Sequence, residues 1–179
     1  MAPADSWSLL QRVIGSESQA AGPTQWRCLP FAQVPPPLLY RAMSLRSQVF
    51  VVEQQCIYQD LDGLDLDALM LIGAASADPQ AEVVATARVL APGTRFQAAP
   101  SIGRVCTSPA HRQRGFGRML MTFAIDCTRR HHPGLPIRIS AQAYLRSFYE
   151  SLGFAVVSPA YLEDGIEHLE MLLASDQAC

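Results

Sequence analysis

The sequence predicts a mixed α/β fold, a largely antiparallel central sheet flanked by helices. Three observations carry this. Short apolar and β-branched runs of strand length alternate with stretches whose apolar residues recur at helical spacing. The chain closes on two strand-like runs, which argues against a bundle. Its 179 residues, 49% of them apolar, supply enough core for one compact domain.

The elements follow in order. Residues 1–24 carry Ser, Gly, Ala and Pro without sustained periodicity and read as a partly ordered extension to which no function is assigned. The domain is expected over 25–179. A short strand is expected from Trp26 to Pro30. Pro35, Pro36 and Pro37 suit a first helical turn, and Leu38, Leu39, Ala42, Leu45 and Val49 mark one buried face of the helix that follows. DALMLIG (67–73) and EVVATARVL (82–90) form a hairpin of central strands across a polar turn. SIGRVCTSP (101–109) is a strand ended by Pro109. Leu120, Phe123, Ala124 and Cys127 give the next helix its apolar face, and Arg129, Arg130, His131 and His132 close it before Pro133 and Gly134. IRIS (137–140) is a strand, YLRSFYESLGF (144–154) a helix closed by Gly153, and AVV and HLEMLL are two final strands.

Charge and composition exclude several classes. A formal net charge of −2 with mixed signs argues against a general nucleic-acid or anionic-membrane binder. The amino terminus lacks a basic segment ahead of an apolar one, and no run is long enough to span a bilayer, so the expected location is cytoplasmic. Cys28, Cys56, Cys106, Cys127 and Cys179 are widely spaced with no C-x-x-C pair. They read as reduced thiols without a metal.

The segment HRQRGFGRML (111–120) holds the strongest chemical signal. Arg112, Gly115 and Gly117 stand between a strand and the start of a helix. The third glycine of the dinucleotide fingerprint is replaced by Leu120, and Gly117 is followed by Arg118 and Met119 rather than Lys-Ser/Thr, so neither a Rossmann nor a P-loop site fits. Free N–H groups at a helix start favour an anion by about 0.3–1 kcal/mol per charge. A basic surface turn is the competing reading of the loop alone.

A second motif, Phe148-Tyr149-Glu150-Ser151-Leu152-Gly153-Phe154, follows one strand later. Together the two motifs resemble the GNAT superfamily of acyl-CoA-dependent N-acyltransferases. The segments FVVEQQCIYQDLDGLD (50–65), IGRVCTSPAHRQRGFGRML and AYLEDGIEHLEM extend the resemblance to its ElaA-like branch, over residues 26–173. It implies that the strands at 102–107 and 137–140 splay apart and admit the pantetheine arm of coenzyme A as if it were an added strand. Val105, Cys106 and Thr107 would give it main-chain partners, with Gln142 standing where many members carry Asn. Arg112, Gln113, Arg114, Gly115, Phe116, Gly117 and Arg118 would receive the diphosphate. The implied reaction is acetyl transfer from acetyl-CoA to a primary amine by direct attack. The acceptor is a small molecule or peptide, cationic if the acidic segment described below recruits it, and a homodimer stands among the assemblies the reading admits. Tyr149 would protonate the departing thiolate, its reference pKa of about 10 lying near the thiol's value of about 8.5; a core tyrosine in an FYxxxGF packing motif is the alternative. Two other functions stay open: an acyl-CoA sensor without turnover, and a partner-binding module whose loop grips phosphate.

The base is less defined. Many members place a glutamate just before the diphosphate loop, whereas this strand reads Ser101, Ile102, Gly103, Arg104. Glu53, at the end of the first helix, is the first candidate. His168, opening the last strand, is the second, since an imidazole titrates near neutrality. Asp60, Asp62, Asp65 and Asp67 form an acidic run, with Asp60 and Asp62 read as acceptor-recruiting residues or else as part of a solvated loop. An EF-hand is rejected, because Leu64 stands where an oxygen ligand is required and Gly63 comes too early.

Overall fold

The computed structural model describes Arg12–Val13 and residues 24–176. Apart from Arg12–Val13 and Thr24, the extension expected over 1–24 lies outside the described residues, as does Cys179. The strands are β1 (Arg12–Val13), β2 (Gln25–Pro30), β3 (Leu69–Ala74), β4 (Val83–Leu90), β5 (Ser101–Thr107), β6 (Ile137–Gln142), β7 (Ala155–Val156), β8 (Tyr161–Glu163) and β9 (Ile166–Leu173). They make one sheet in the order β1-β2-β3-β4-β5-β6-β9-β7, with β8 paired to β9. Every pairing is antiparallel except β5–β6, which is parallel and meets only at Ser101↔Arg138. From that point the two strands part, as the resemblance implied.

The helices α1 (Pro36–Arg46), α2 (Phe116–His131) and α3 (Arg146–Glu150) cover the sheet because each carries one apolar face. Leu120, Phe123 and Ala124 of α2 pack with Trp26, Leu71, Ala85, Ala87 and Ile139 on one side. Leu38, Ala42 and Leu45 of α1 pack with Met70, Ile72 and Cys106 on the other. All eight residues of β4 are buried, since both of its faces are covered. Truncating a side chain such as Leu38 or Leu120, each 0% exposed, to alanine costs about 2–5 kcal/mol. Gly73 lets Trp26 lie flat on β3: a Cβ there would stand 2.7 Å from the indole ring.

Three local features differ from the sequence expectation. After Arg46 the first helix continues to Glu53 as π-turns, with the Gln54 N–H donating to the Val49 carbonyl at 3.2 Å. Phe50 and Gln54 of this segment both line one cavity. The helix expected over 144–154 condenses to a 3-10 turn at Ala143–Leu145 and the short α3, ended by Gly153 at φ 93°. The segment Tyr161–Glu163 folds back on β9 as an unanticipated strand. No described helix is long and apolar enough to cross a membrane.

Candidate functional site

The loop between β5 and α2 is shaped by its backbone. Gln113 (φ 63°) and Gly115 (φ 80°) both take left-handed conformations, an alternation that curls successive N–H groups toward one concavity. For glutamine that conformation costs of order 1–3 kcal/mol, strain of the kind found at binding sites. No side chain caps the first turn of α2, so its leading N–H groups are open to an anion. A Cβ on Gly117 would meet only the Thr107 methyl at 3.9 Å and the Phe148 ring at 4.0 Å. The fold therefore does not require glycine there, and the space in front of it stays clear. Arg114 and Gln113 are exposed. Arg118 donates to Ser151 Oγ at 2.6 Å. The Phe116 ring is turned into the core, leaving only its main chain for a ligand.

Arg112 has a partner already. Its Nη1 and Nη2 donate to the Glu53 carboxylate at 2.6 and 2.8 Å. This hydrogen bond, with the arginine's charge, holds the Glu53 carboxyl below the usual carboxylate range, and a carboxylate so held is a poorer proton acceptor. Glu53, the first base candidate from sequence, is thus tied to the loop that was expected to receive the diphosphate.

β5 breaks its register beside the gap. Thr86 pairs with Cys106 and Arg88 with Gly103, so Arg104 and Val105 together oppose Ala87. This bulge puts Arg104 at φ 52°. Val105 and Thr107 flank the gap toward β6 and are half-buried, whereas the Cys106 side chain enters the second core. Burial pushes the Cys106 thiol up to about 12, which makes it inert as a nucleophile.

Arg104 locks the bulge to the acidic run. Its Nε donates to Asp60 Oδ1 at 2.7 Å and its Nη2 to Asp62 Oδ2 at 3.2 Å, while the guanidinium lies 5.3 Å from the centre of the Tyr58 ring. Arg46, with a fully buried side chain, reaches Asp60 at 3.0 Å and Asp65 at 2.7 Å. Arg88 grips Asp62 at 2.7 and 2.6 Å and Asp65 at 3.1 Å. Burial pushes the Asp62 carboxyl up, but Arg88, the Leu64 N–H and Arg104 outweigh it and leave the group at about 2. The charges of Asp60 and Asp62 are committed to arginines, with Asp60 6% exposed and the Asp62 side chain 27%, which weighs against both a recruiting role and a freely solvated loop. Asp60, Asp62 and Asp65 form an ion-pair network that braces the bulge, while Asp67 is exposed. A detectable signal was present, since Arg88 interrupts an otherwise apolar strand and Arg46 falls on the buried side of the first helix.

Beside the gap between β5 and β6 lies a cavity of about 150 Å³ lined among others by Gln54, Tyr58, Arg104, Gln142, Tyr149 and His168. Tyr149 is 6% exposed and sits edge-on between Phe148 and Phe154. Burial raises its phenol well above the ordinary value, so it stays protonated. Gln142 is held by Gln54 at 3.2 Å and Tyr144 at 2.6 Å. His168, which pairs with Gln142 across β6–β9, has its Nδ1 2.8 Å from the Ile166 carbonyl. A carbonyl only accepts, so Nδ1 carries the hydrogen, which leaves Nε2 as the nitrogen that can accept a proton. The ring stacks on Tyr161 at 6.1 Å. Sequence reasoning missed Glu163, a further member of the lining, which accepts from Ser140 at 3.0 Å and Arg95 at 2.9 Å. Among the described residues no group of three or more His, Cys, Asp or Glu side chains could hold a metal ion.

The arrangement fits an acyl-coenzyme A: an open helix amino terminus for a diphosphate, a parting in the sheet for an extended arm, and a cavity with titratable groups at its end. Comparison with known proteins agrees. A family profile described as an acetyltransferase (GNAT) domain matches residues 47–175. Protein ElaA of Escherichia coli is 39% identical over 149 residues, covering 82% of this chain and 94% of the relative. A UPF0039 protein of Synechocystis is 40% identical over 147 residues, covering 82% and 93%. The crystal structure of an acyl-CoA N-acyltransferase from Pseudomonas aeruginosa superposes with TM-score 0.77 at 39% identity, covering 84% of this chain and 99% of that one. Escherichia coli ElaA superposes with TM-score 0.75 at 38% identity and the same coverage.

Proposed function

Because the chain belongs to the GNAT acetyltransferase family, and is therefore an acyl-CoA-dependent acyltransferase, we propose that it moves an acetyl group from acetyl-CoA directly to a primary amine bound in the same complex. The observation that carries this reading is one of adjacency. The uncapped start of α2, the β5–β6 parting and the cavity holding Tyr149 and His168 adjoin each other, so donor and acceptor can be held at once.

The donor supplies a thioester, an activated carbonyl with a thiolate leaving group. The N–H groups of α2, with Gln113 and Gly115, hold its diphosphate, and Gly117 leaves room for it. The bulge at Arg104 and Val105 lies beside the gap, and main-chain N–H groups there are assigned the role of stabilising negative charge on the carbonyl oxygen. His168 Nε2 takes the proton of the attacking amine, a role that passes from Glu53 because Arg112 occupies that carboxylate. Tyr149, its acidity weakened by burial, acts as a hydrogen-bond donor to the departing sulfur more than as a full proton source.

The test is thiol release from acetyl-CoA against a panel of amines. Tyr149→Phe keeps the ring packing and should lower turnover by about 10²- to 10³-fold, the scale of one lost hydrogen-bond donor, with cofactor affinity little changed. His168→Gln should lower turnover by about 10²- to 10⁴-fold with cofactor affinity little changed. Acetyl-CoA binding without release for any amine would overturn the reading in favour of a sensor.

A further inference from the structure

The hairpin of β8 and β9 reaches into the site. Asp164 (φ 51°) and Gly165 (φ 80°) make its two-residue turn, both left-handed, a conformation that joins twisted strands in a fixed register. That register sets Glu163 opposite Ile166 and Tyr161 opposite His168. Along its other edge β9 meets β6, where Gln142 pairs with the same histidine. His168 thus stands in the middle of a cross-strand row, in which neighbouring side chains touch.

Two restraints hold its ring. Nδ1 lies 2.8 Å from the Ile166 carbonyl, and one face lies against Tyr161, with ring centres 6.1 Å apart and planes inclined by 30°. The tyrosine is itself anchored. Ser140 stands two residues before Gln142, on the same face of β6, and its hydroxyl donates to Glu163 at 3.0 Å. With that hydrogen spent, the Ser140 oxygen accepts from the Tyr161 hydroxyl. Burial pushes the Glu163 carboxyl up, but Arg95, at 2.9 Å, and Ser140 outweigh it and hold the group below the usual carboxylate range, so it stays an acceptor. Ser140, Glu163 and His168 line the cavity, whereas Tyr161 does not. An imidazole held by one hydrogen bond can still swing about its side-chain torsions, and a reacting group displaced by about 1 Å can cost about 10²-fold in rate.

We infer that Tyr161 is the positioning residue for His168, holding the imidazole in the orientation that takes the proton of the attacking amine, with Ser140 and Glu163 as its anchors. The inference rests on the reading of His168 as the base.

The test uses the full chain, acetyl-CoA and the fastest acceptor from a panel of alkylamines, amino acids and short peptides. In Tyr161→Leu, kcat should fall by about 10- to 100-fold with the amine's KM and acetyl-CoA affinity little changed. NMR of the His168 ring nitrogens should pass from one tautomer, with hydrogen on Nδ1, to a mixture. Both changes are required, and either without the other refutes the inference. In the His168→Gln background the same replacement should cost less than about twofold, because residues acting as a unit are not additive; full additivity would place the effect of Tyr161 elsewhere. Where that background is too slow to time, the split between kcat and KM in the single variant decides. Should the leucine variant not fold, Tyr161→Phe loses only the hydroxyl and should lower kcat a few-fold, the scale of one hydrogen bond; the native rate there would count against the anchor. Native turnover in Tyr161→Leu beside a slow His168→Gln would overturn the inference alone. Native turnover in His168→Gln, or no thiol release with any amine, would remove it together with the reading it rests on.

Discussion

Replacing Asp60 with asparagine separates a bracing role for the acidic run from a recruiting one. The carboxylate is 6% exposed and lies between the fully buried Arg46 at 3.0 Å and Arg104 at 2.7 Å. Removing one member of a buried pair costs about 3–5 kcal/mol, because the other charge is left without compensation. Asparagine keeps the shape and one acceptor oxygen, and Arg46 retains Asp65 at 2.7 Å, so the low end, about 3 kcal/mol, is expected. For a domain of this size that is a fall in Tm of roughly 6 to 12 °C. It is also a large share of a total stability of about 5–15 kcal/mol. Because salt acts through solvent, over about 8 Å at physiological ionic strength, the loss should persist in high salt. Urea unfolding with an unchanged m-value, at low and high salt, reads it directly. A loss below about 1 kcal/mol, joined to a salt-sensitive rise in the acceptor's KM, would refute the bracing argument and return the run to recruitment of a cation.

Other variants probe the loop and the network edge. Gly117→Val should fold with little change in Tm, since a Cβ there meets only Thr107 and Phe148 at ordinary contact distance; acetyl-CoA affinity should nevertheless fall at least tenfold by calorimetry, and unchanged affinity would remove the loop from the cofactor site. Glu53→Gln should tighten acetyl-CoA binding by a few-fold, the scale of an exposed pair, because Arg112 is freed for the diphosphate; a large drop in maximal rate would instead restore Glu53 as the base. Asp62 sits at about 2 against an ordinary 3.8. Its depressed value means that its contribution to stability is complete above about pH 4 and is lost as pH falls through about 2. Acid unfolding of Asp62→Asn should therefore show a shallower decline across that window.

Much of the fold could be read along the chain. The strand runs, the amphipathic faces of α1 and α2 and the glycine loop at 112–117 are signals carried by residues close in sequence, where a period of two or 3.6 reports which side is buried. The shape of the loop at 112–117 was legible for the same reason, because a strand, a glycine turn and a helix start within a few residues define where N–H groups are left open. The π-turns at Ser47–Glu53 were not, since the apolar pattern of α1 continues through them while the hydrogen bonding shifts by one residue. Strand β8 was too short to announce itself.

Side-chain commitments followed a different logic. From sequence alone, QDLDGLDLD was a set of free carboxylates, and Glu53 was a candidate base. Arg46, Arg88 and Arg104 come from a helix and two separate strands, yet they converge on Asp60, Asp62 and Asp65. Arg112 reaches from the glycine loop to Glu53 at the end of the π-turns. Local periodicity determined the elements and the glycine loop, because backbone conformation and burial of a face depend on near neighbours. Which carboxylates are paired and which histidine nitrogen meets a carbonyl were decided only by the tertiary structure, because charge and hydrogen-bond pairing depend on distances between residues that the chain brings together from far apart.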